Sequence, residues 1–399
     1  MLIIFSTHPI QYQVPLWQAM AKEGIDFEVW YFTDFGLKSS FDIQFGKSFS
    51  WDLPMLEGYK YRFLRVNENA APNKGFRGIV LKDNLKRLLK ERKATHVYIN
   101  GWQVLAYWQV LWTAKSLGLT TIFKGESNDL KPVFFWKQKI KKLLLSQFFN
   151  RIDYFLYIGE ANKRLYLKHN INPSKLLPGL YCVDNDRFHT SSLYYKAQNQ
   201  TIRNNWGIAK GIFCILFSGK FIQKKRPLDI IKAVKLAQLT NLVHIVFVGD
   251  GELYDEIKQH ANVVFDKENG IINTIREKEV NISIIGFLNQ TEISKAYAVA
   301  DCLVLPSDYG ETWGLVVNEA MASGLPVIAA NECGSAEDLV KPLNPSLVYK
   351  TGDIEALAAS ILNLINNPAD QQKIQQHINK YTYLSTINSV KTLLGNAHK

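Results

Sequence analysis

The strongest constraint on how this chain folds is a regular alternation: short apolar runs ending in turn residues are separated by longer segments of helical period. In the first half the runs are LIIFS, FEVWYF, HVYIN, TTIFK and YFLYIG, with VPLWQAMAKEG and QVLAYWQVLWTAKSLG among the helical segments. A second series follows, with IFCILFSG, HIVFVGDG, ISIIGF, DCLVLPS and LPVIAA as its strands. Alternation of this kind predicts parallel sheets covered by helices. The stretch HTSSLYYKAQNQTIRNN, residues 189–205, is polar and lacks strong periodicity, so a domain link is expected there. The 399 residues exceed what one core usually supports. The predicted fold class is therefore α/β, with two Rossmann-like, doubly wound parallel-sheet domains at 1–190 and 191–399. The last helix is allowed to pack back on the first domain.

In open sheets of this type ligands bind beyond the carboxyl ends of the strands. The most informative such loop lies in DCLVLPSDYGETWGLVVNEAMASGLPVIAA, residues 301–330. A strand ends near Leu305, Pro306 and Gly310 mark a loop, and a helix begins around Trp313 or Gly314 and stops before Gly324. Glu311 precedes the helix and Glu319 lies about a turn and a half inside it, with the amides of Thr312, Trp313, Gly314 and Leu315 between them. Unpaired amides at the positive end of a helix dipole form a cradle for phosphate. A glycine at 314 removes a side chain that would block approach. Carboxylates are pure acceptors and suit sugar hydroxyls, so the two glutamates are expected on either side of a diphosphate. A second loop, SGKFIQKKRPLDIIKAV, turns at Gly219 and carries Lys220 and Lys225. Fixed cations there would stabilise the charge that builds on a departing diphosphate. Lys224 and Arg226 read as solvated neighbours, and an isolated KKR run is commonly a surface charge patch.

Glu311, seven residues, Glu319 and then AMASGLPV resemble the signature of the family 4 retaining glycosyltransferases of the GT-B fold. That resemblance implies two facing domains with a cleft between them, Glu311 at the donor sugar and Glu319 at the nucleotide ribose. Lys220 and Lys225 resemble the family's basic pair, with lysine in place of the usual arginine at the first position. Gly249 in VGDGEL resembles the nucleotide-side loop, and Gly286 with Phe287 resembles the turn that backs the nucleobase. Each of these could also be an ordinary tight turn. The HPIQY opening, which supplies His8, Gln11 and Tyr12, resembles a subset of the family and is expected to meet acceptor. Where many members carry a histidine this chain has IFKGESND, making Glu126 the candidate for acceptor binding or proton handling. Asp184 and Asp186 form a DxD triplet at a place where the family has a structural turn. No cofactor and no metal are expected, the nucleotide sugar being a co-substrate.

The formal charge of +11 lies entirely in the first half, where residues 1–190 hold 27 Lys+Arg against 16 Asp+Glu, while the remainder holds 20 of each. A basic half points to an anionic partner. Residues 131–151, KPVFFWKQKIKKLLLSQFFNR, combine six basic residues with Trp136, Ile140, Leu144 and Phe148 at four-residue steps. That pattern fits a helix lying on an anionic membrane surface, or equally a core helix with a basic rim. The basic stretch LKDNLKRLLKERK adds to the first reading. MLIIF lacks the flank and cleavage pattern of a signal peptide, and four scattered cysteines offer no disulfide framework, so a cytoplasmic enzyme, peripheral on the membrane, is expected.

The sequence thus predicts a glycosyltransferase moving a sugar, UDP-linked by default, onto a glycan or lipid-linked acceptor. The alternatives are a nucleotide-sugar epimerase of the same fold, a glycosidase, whose paired carboxylates stand about 5–10 Å apart across the bond, and a non-enzymatic basic protein binding membrane or nucleic acid. Nothing in the chain resembles an established nucleic-acid module.

Overall fold

A computed structural model describes residues 1–37, 40–42, 47–49, 51–130, 144–272 and 279–395. The chain forms two compact units. The first comprises Met1–Ser40, Phe49–Tyr181 and Thr382–Lys399, and the second Phe41–Ser48 and Cys182–Tyr381. The division therefore falls at Tyr181/Cys182, and the helix Tyr383–Gly395 belongs to the first unit, where Ile387, Val390 and Leu393 are buried in its core.

The first unit is built on a parallel sheet of β1 (Leu2–Ser6), β2 (Phe27–Tyr31), β5 (Tyr61–Phe63), β6 (His96–Ile99), β7 (Thr120–Phe123), β8 (Tyr154–Tyr157) and β9 (Leu176–Pro178). Their order is β5-β2-β1-β6-β7-β8-β9. The order reverses between β1 and β6, so the loop after β1 opens at a topological switch point. Both faces of β1 are buried, Ile3 and Phe5 in one cluster and Leu2 and Ile4 in the other. That explains a strand which reads as a continuous apolar run instead of an alternation. A two-stranded ribbon, β3 (Ser40–Asp42) with β4 (Lys47–Phe49), is separate from both sheets.

The second unit carries β10 (Phe213–Ser218), β11 (Val243–Val248), β12 (Asn262–Asp266), β13 (Gly270–Ile271), β14 (Asn281–Gly286), β15 (Cys302–Leu305), β16 (Val327–Ala330) and β17 (Val348–Tyr349). They lie in the order β13-β12-β14-β11-β10-β15-β16-β17, parallel except for the β12–β13 pair. Here the reversal falls between β10 and β15. The loops after those two strands are the ones the sequence marks with Lys220, Lys225 and Glu311. Strands β12, β13 and β17 were not legible as apolar runs, because they are short or lie at the sheet's margins, where one side needs little apolar cover.

The expected link at 189–205 is instead helical, in Asn185–Lys196 and Asn199–Asn205. Its periodicity is hidden because the inward face is polar and satisfied by hydrogen bonds. Asn185 donates to the carbonyls of Ile378 and Tyr381, and Ser192 donates to that of Ser323. Arg203 is buried, donating to the Val299 carbonyl at 2.6 and 2.9 Å, to Ile212 at 3.2 Å and to Asp301 at 2.8 Å. Asp301 in turn accepts from the Cys214 amide at 2.7 Å. Arg203→Ala would strand these carbonyls and is expected to cost about 3 kcal/mol. By calorimetry that is a fall in Tm of about 6–10 °C, and an unchanged Tm would show the network contributes nothing net.

Arg226, expected in solvent, adopts a left-handed backbone with φ of 50° and pairs with the buried Asp229 at 2.6 Å. It is a fold residue. The basic stretch 82–93 contributes the helix Leu85–Glu91, which buries Leu85 and Leu89. All four cysteines are buried thiols outside any disulfide. Among the described residues no helix is long and apolar enough to cross a membrane.

Candidate nucleotide-sugar and acceptor sites

In the second unit Lys225 ends a 3₁₀ turn, Gln223–Lys225, in the loop after β10. Glu311 lies in the loop after β15. Both side chains are mostly buried, and the Lys225 ammonium forms an ion pair with the Glu311 carboxylate. A backbone bond from Asp308 N to Lys224 O at 2.9 Å ties the two loops together. Burial, reinforced by nearby Lys224 and Lys220, pulls the Lys225 ammonium down to about 8. Lys220, in the same loop, is half-buried.

The helix Leu315–Ala322 begins four residues after Glu311, whose Cγ would lie 3.4 Å from a Cβ on Gly314. Gly314 precedes it with φ of 92°, and a Cβ there would lie 2.6 Å from Leu305 Cδ2. The glycine is therefore required by the chain's own conformation and packing, which is a different reason from the ligand clearance read from the sequence. The sequence reading used the backbone amide of Trp313; its ring is buried, donates to Asn318 at 2.7 Å and lies 6.4 Å from Tyr381. The amides of Leu315 and Val316, at the start of the helix, have no acceptor four residues back within it, whereas Val317 N donates to Gly314 O at 3.0 Å. Thr312, half-buried, completes the loop.

Gly334, which the sequence reading passed over, holds this loop in place. It donates to the Glu311 carbonyl at 3.3 Å, while Ser335 N donates to the Trp313 carbonyl at 3.0 Å. A Cβ on Gly334 would stand 2.0 Å from Thr312 O. The signal was its place just beyond a strand end, the same position that singled out Gly219 and Gly249.

Gly219, Gly249 and Gly286 stitch together the ends of three neighbouring strands. Gly219 N donates to Val248 O and Gly249 N to Gly286 O, each at 2.9 Å. A Cβ on Gly249 would fall 1.9 Å from Gly219 O, so close backbone approach fixes that glycine. Gly286 has φ of 75°, and the Lys267 side chain lies over it. Phe287 is half-buried beside that turn.

Glu319, inside the helix, is 9% exposed. Its carboxylate accepts from the Tyr297 hydroxyl at 2.6 Å. Burial raises its pKa, and the Tyr297 bond, the Arg187 charge and a Gln290 bond oppose that rise. Asp184 caps the helix Asn185–Lys196 by accepting from Arg187 N, a structural use of the DxD triplet. Among the described residues no group of three or more His, Cys, Asp or Glu is arranged to hold a metal ion.

In the first unit the structure brings together Tyr12 and Glu126. The Tyr12 hydroxyl donates to Glu126 Oε1 at 2.8 Å, and Tyr181, which the sequence did not reveal, donates to the same oxygen. The two phenol rings meet edge to face at 5.8 Å, and the Lys124 ammonium lies 5.2 Å from the Tyr181 ring. Burial and Glu126 push both phenols well above their ordinary range, so both remain donors. The result is an exposed carboxylate with one oxygen fixed by two phenols. His8 makes other contacts, its Nδ1 at 2.9 Å from Thr7 Oγ1 and its ring against Phe35. Burial lowers it to about 4, which leaves the imidazole neutral at pH 7. Gln11 is half-buried in the same loop.

Residues 131–143 of the basic aromatic segment, with Trp136 and Ile140, lie outside the described residues. Of the rest, Leu144 is exposed, whereas Leu145, Phe148 and Phe149 are buried in the unit's core, so the described end of the segment packs inward.

Residues 198–383 match the family model described as Glycosyl transferases group 1. The chain is 27% identical over 176 residues to the sulfoquinovosyl transferase SQD2 of Arabidopsis thaliana, covering 42% of this chain and 30% of that protein. It is 29% identical over 170 residues to the GDP-mannose-dependent alpha-mannosyltransferase of Mycolicibacterium smegmatis, covering 42% and 39%. The chain thus spans about a third of the length of the curated relatives it matches. Among solved structures, Anabaena HepE in complex with UDP superposes with a TM-score of 0.70 at 15% identity over 99% of this chain and 100% of that one. A glycosyltransferase from Rickettsia africae superposes with 0.67 at 13% identity over 100% and 98%. These likenesses show the fold, which is GT-B.

Proposed function

We propose that this chain, whose residues 198–383 form a glycosyl transferases group 1 domain, is a retaining glycosyltransferase of the family 4 type. It takes a sugar from a nucleoside diphosphate, uridine favoured, and passes it to a glycan or lipid-linked acceptor. The observation that carries this reading is the Lys225–Glu311 pair, built from the two loops at the switch point and set against the start of the helix Leu315–Ala322. A cation, a helix N-terminus and two flanking carboxylates meet the needs of a sugar diphosphate: donors for phosphate and acceptors for the hydroxyls on either side.

In this reading the second unit holds the donor. Lys220, Lys225 and the amides of Thr312 to Leu315 take the diphosphate, Glu311 the sugar and Glu319 the ribose. Gly219, Gly249, Gly286 and Phe287 shape the floor of the nucleotide site. The diphosphate displaces Glu311 from Lys225 and frees that carboxylate for sugar hydroxyls. The acceptor hydroxyl attacks the anomeric carbon on the face that the diphosphate leaves, and a phosphate oxygen takes its proton. No metal is assigned a role. The first unit receives the acceptor, with Glu126, Tyr12, Gln11 and His8 as its contacts. The positive charge of residues 1–190 and the basic segment 131–151 support a peripheral place on the cytoplasmic face of an anionic membrane.

A thermal-shift series with UDP, GDP, ADP and their sugars tests the donor assignment. A ligand at a hundred times its Kd adds about 2.7 kcal/mol to the native state and raises Tm by several degrees. The expected result is a shift with one diphosphate and with its sugar, together with release of that diphosphate when acceptor is added. Absence of any shift across the whole set would overturn the reading.

A further inference from the structure

We infer that Arg187, acting through Gln290, and Tyr297 form a positioning shell that keeps the Glu319 carboxylate charged and aimed for the donor's ribose hydroxyls. The inference rests on the donor reading above and adds residues that neither the sequence nor the family resemblance marks.

Arg187 stands in the first turn of the helix Asn185–Lys196, its amide held by the Asp184 cap. Its guanidinium grips Gln290 twice, donating to the backbone carbonyl at 2.6 Å and to the side-chain oxygen at 2.8 Å. A guanidinium has no acceptor, so the Gln290 atom it faces must be oxygen, and the amide nitrogen is left as a donor for Glu319. From the helix Ser294–Val299, Tyr297 donates to Glu319 Oε2 at 2.6 Å. Phe188 locks the two arms together, lying 4.3 Å from the Arg187 guanidinium and 6.0 Å from the Tyr297 ring in an edge-to-face contact. Tyr297 and Phe188 are fully buried.

A carboxyl group this deeply buried would favour its neutral form. A neutral carboxyl is a poor acceptor for two ribose hydroxyls, and its single proton would compete with them. Two donors and one nearby guanidinium oppose that tendency. Of the other charged groups on the packed helices, Lys196 donates to the Ser323 carbonyl, Lys295 pairs with Glu292, Lys373 pairs with Asp370, His377, from the helix Gln371–Ile378, contacts the Asp338 carbonyl, and Asp186 and His189 are exposed. The charge state of Glu319 is therefore in the hands of Arg187, Gln290 and Tyr297. Removing either arm should raise its pKa, so that binding is lost at a higher pH as the solution is acidified.

The test is UDP affinity by calorimetry from pH 5.5 to 8.5 for wild type, Y297F, R187M and E319Q, with Tm recorded for each. Titration of the UDP phosphate is common to all four and cancels in the comparison. Y297F and R187M are expected to weaken UDP about tenfold near neutral pH. Their acid limbs should move to higher pH, whereas E319Q should lose the limb attributable to the protein. With a donor sugar, KM should rise while kcat stays within a few-fold. R187M leaves Tyr297 in place and acts through Gln290 and through loss of the guanidinium charge, so it carries the test by itself if Y297F does not fold. Profiles for Y297F and R187M that superpose on wild type would overturn the shell while leaving the donor reading intact. A wild-type chain that binds none of UDP, GDP and ADP would overturn the donor reading first.

Discussion

Lys225→Met should lower the rate of sugar transfer by about 10²–10³-fold at pH 7, the usual loss when one fixed donor to a developing anion is removed. The ammonium is the cation set directly against Glu311, at the start of the helix Leu315–Ala322. A bound sugar diphosphate already carries charge on both phosphates and more develops as the diphosphate leaves, so donor binding should weaken while the larger loss falls on kcat. Burial also makes a pH signature. Lys225 is charged below about 8 and loses its proton as the pH rises through that value, so the rate should decline on the alkaline side. In Lys225→Arg the guanidinium keeps its charge, and whatever activity survives the changed geometry should lack that alkaline limb. Diphosphate release measured from pH 6 to 10 reads both effects. Transfer by Lys225→Met within threefold of wild type would remove Lys225 from the mechanism.

Gly334→Ala should damage both stability and donor binding. The added Cβ would stand 2.0 Å from Thr312 O and 3.1 Å from Trp313 Cα, backbone atoms of the very loop that carries Glu311. Backbone cannot rotate away as a flexible side chain can. The loop must shift, with about 1–3 kcal/mol or more lost to overpacking. In Tm that is a drop of about 3–10 °C, and the UDP-induced shift should largely vanish because the amides of Thr312 to Leu315 move with the loop. Gly211→Ala makes the control. Gly211 has φ of 78° but open space where a Cβ would go, so it should show only the smaller cost of the left-handed backbone and keep the full UDP shift. Equal UDP shifts in both variants would mean that Gly334 does not position the site.

The difference between what was and was not legible follows from the kind of interaction. Lys225 and Glu311 could be found because an α/β sheet delivers ligand residues to loops after strands, and the apolar runs IFCILFSG and DCLVLPS identify the strands without reference to partners. The same rule placed Tyr12 and Glu126 at strand ends. Tyr181 could not be found that way, since it follows the three-residue strand β9, which does not read as an apolar run. Gly314 was singled out for clearance around a ligand and Gly249 as part of a nucleotide-side loop, yet Leu305 and the Gly219 carbonyl are what forbid a side chain there. The helices at 185–205 were missed because Asn185, Ser192 and Arg203 bury polar groups, which defeats a search for apolar periodicity.

What the amino-acid order settled alone is local: which segments are strands, where the chain must turn, and which loops hold acids and bases at chemically useful spacing. Hydrophobic period and turn chemistry act over a few residues, so they survive without tertiary context. Only the folded structure decided which polar side chains meet. The ion pair of Lys225 with Glu311, the double phenol grip on Glu126 and the Arg187–Gln290–Glu319–Tyr297 chain join residues far apart in sequence. Such contacts are directional and short-ranged, and their strength depends on a burial that exists only once the sheets and helices have packed.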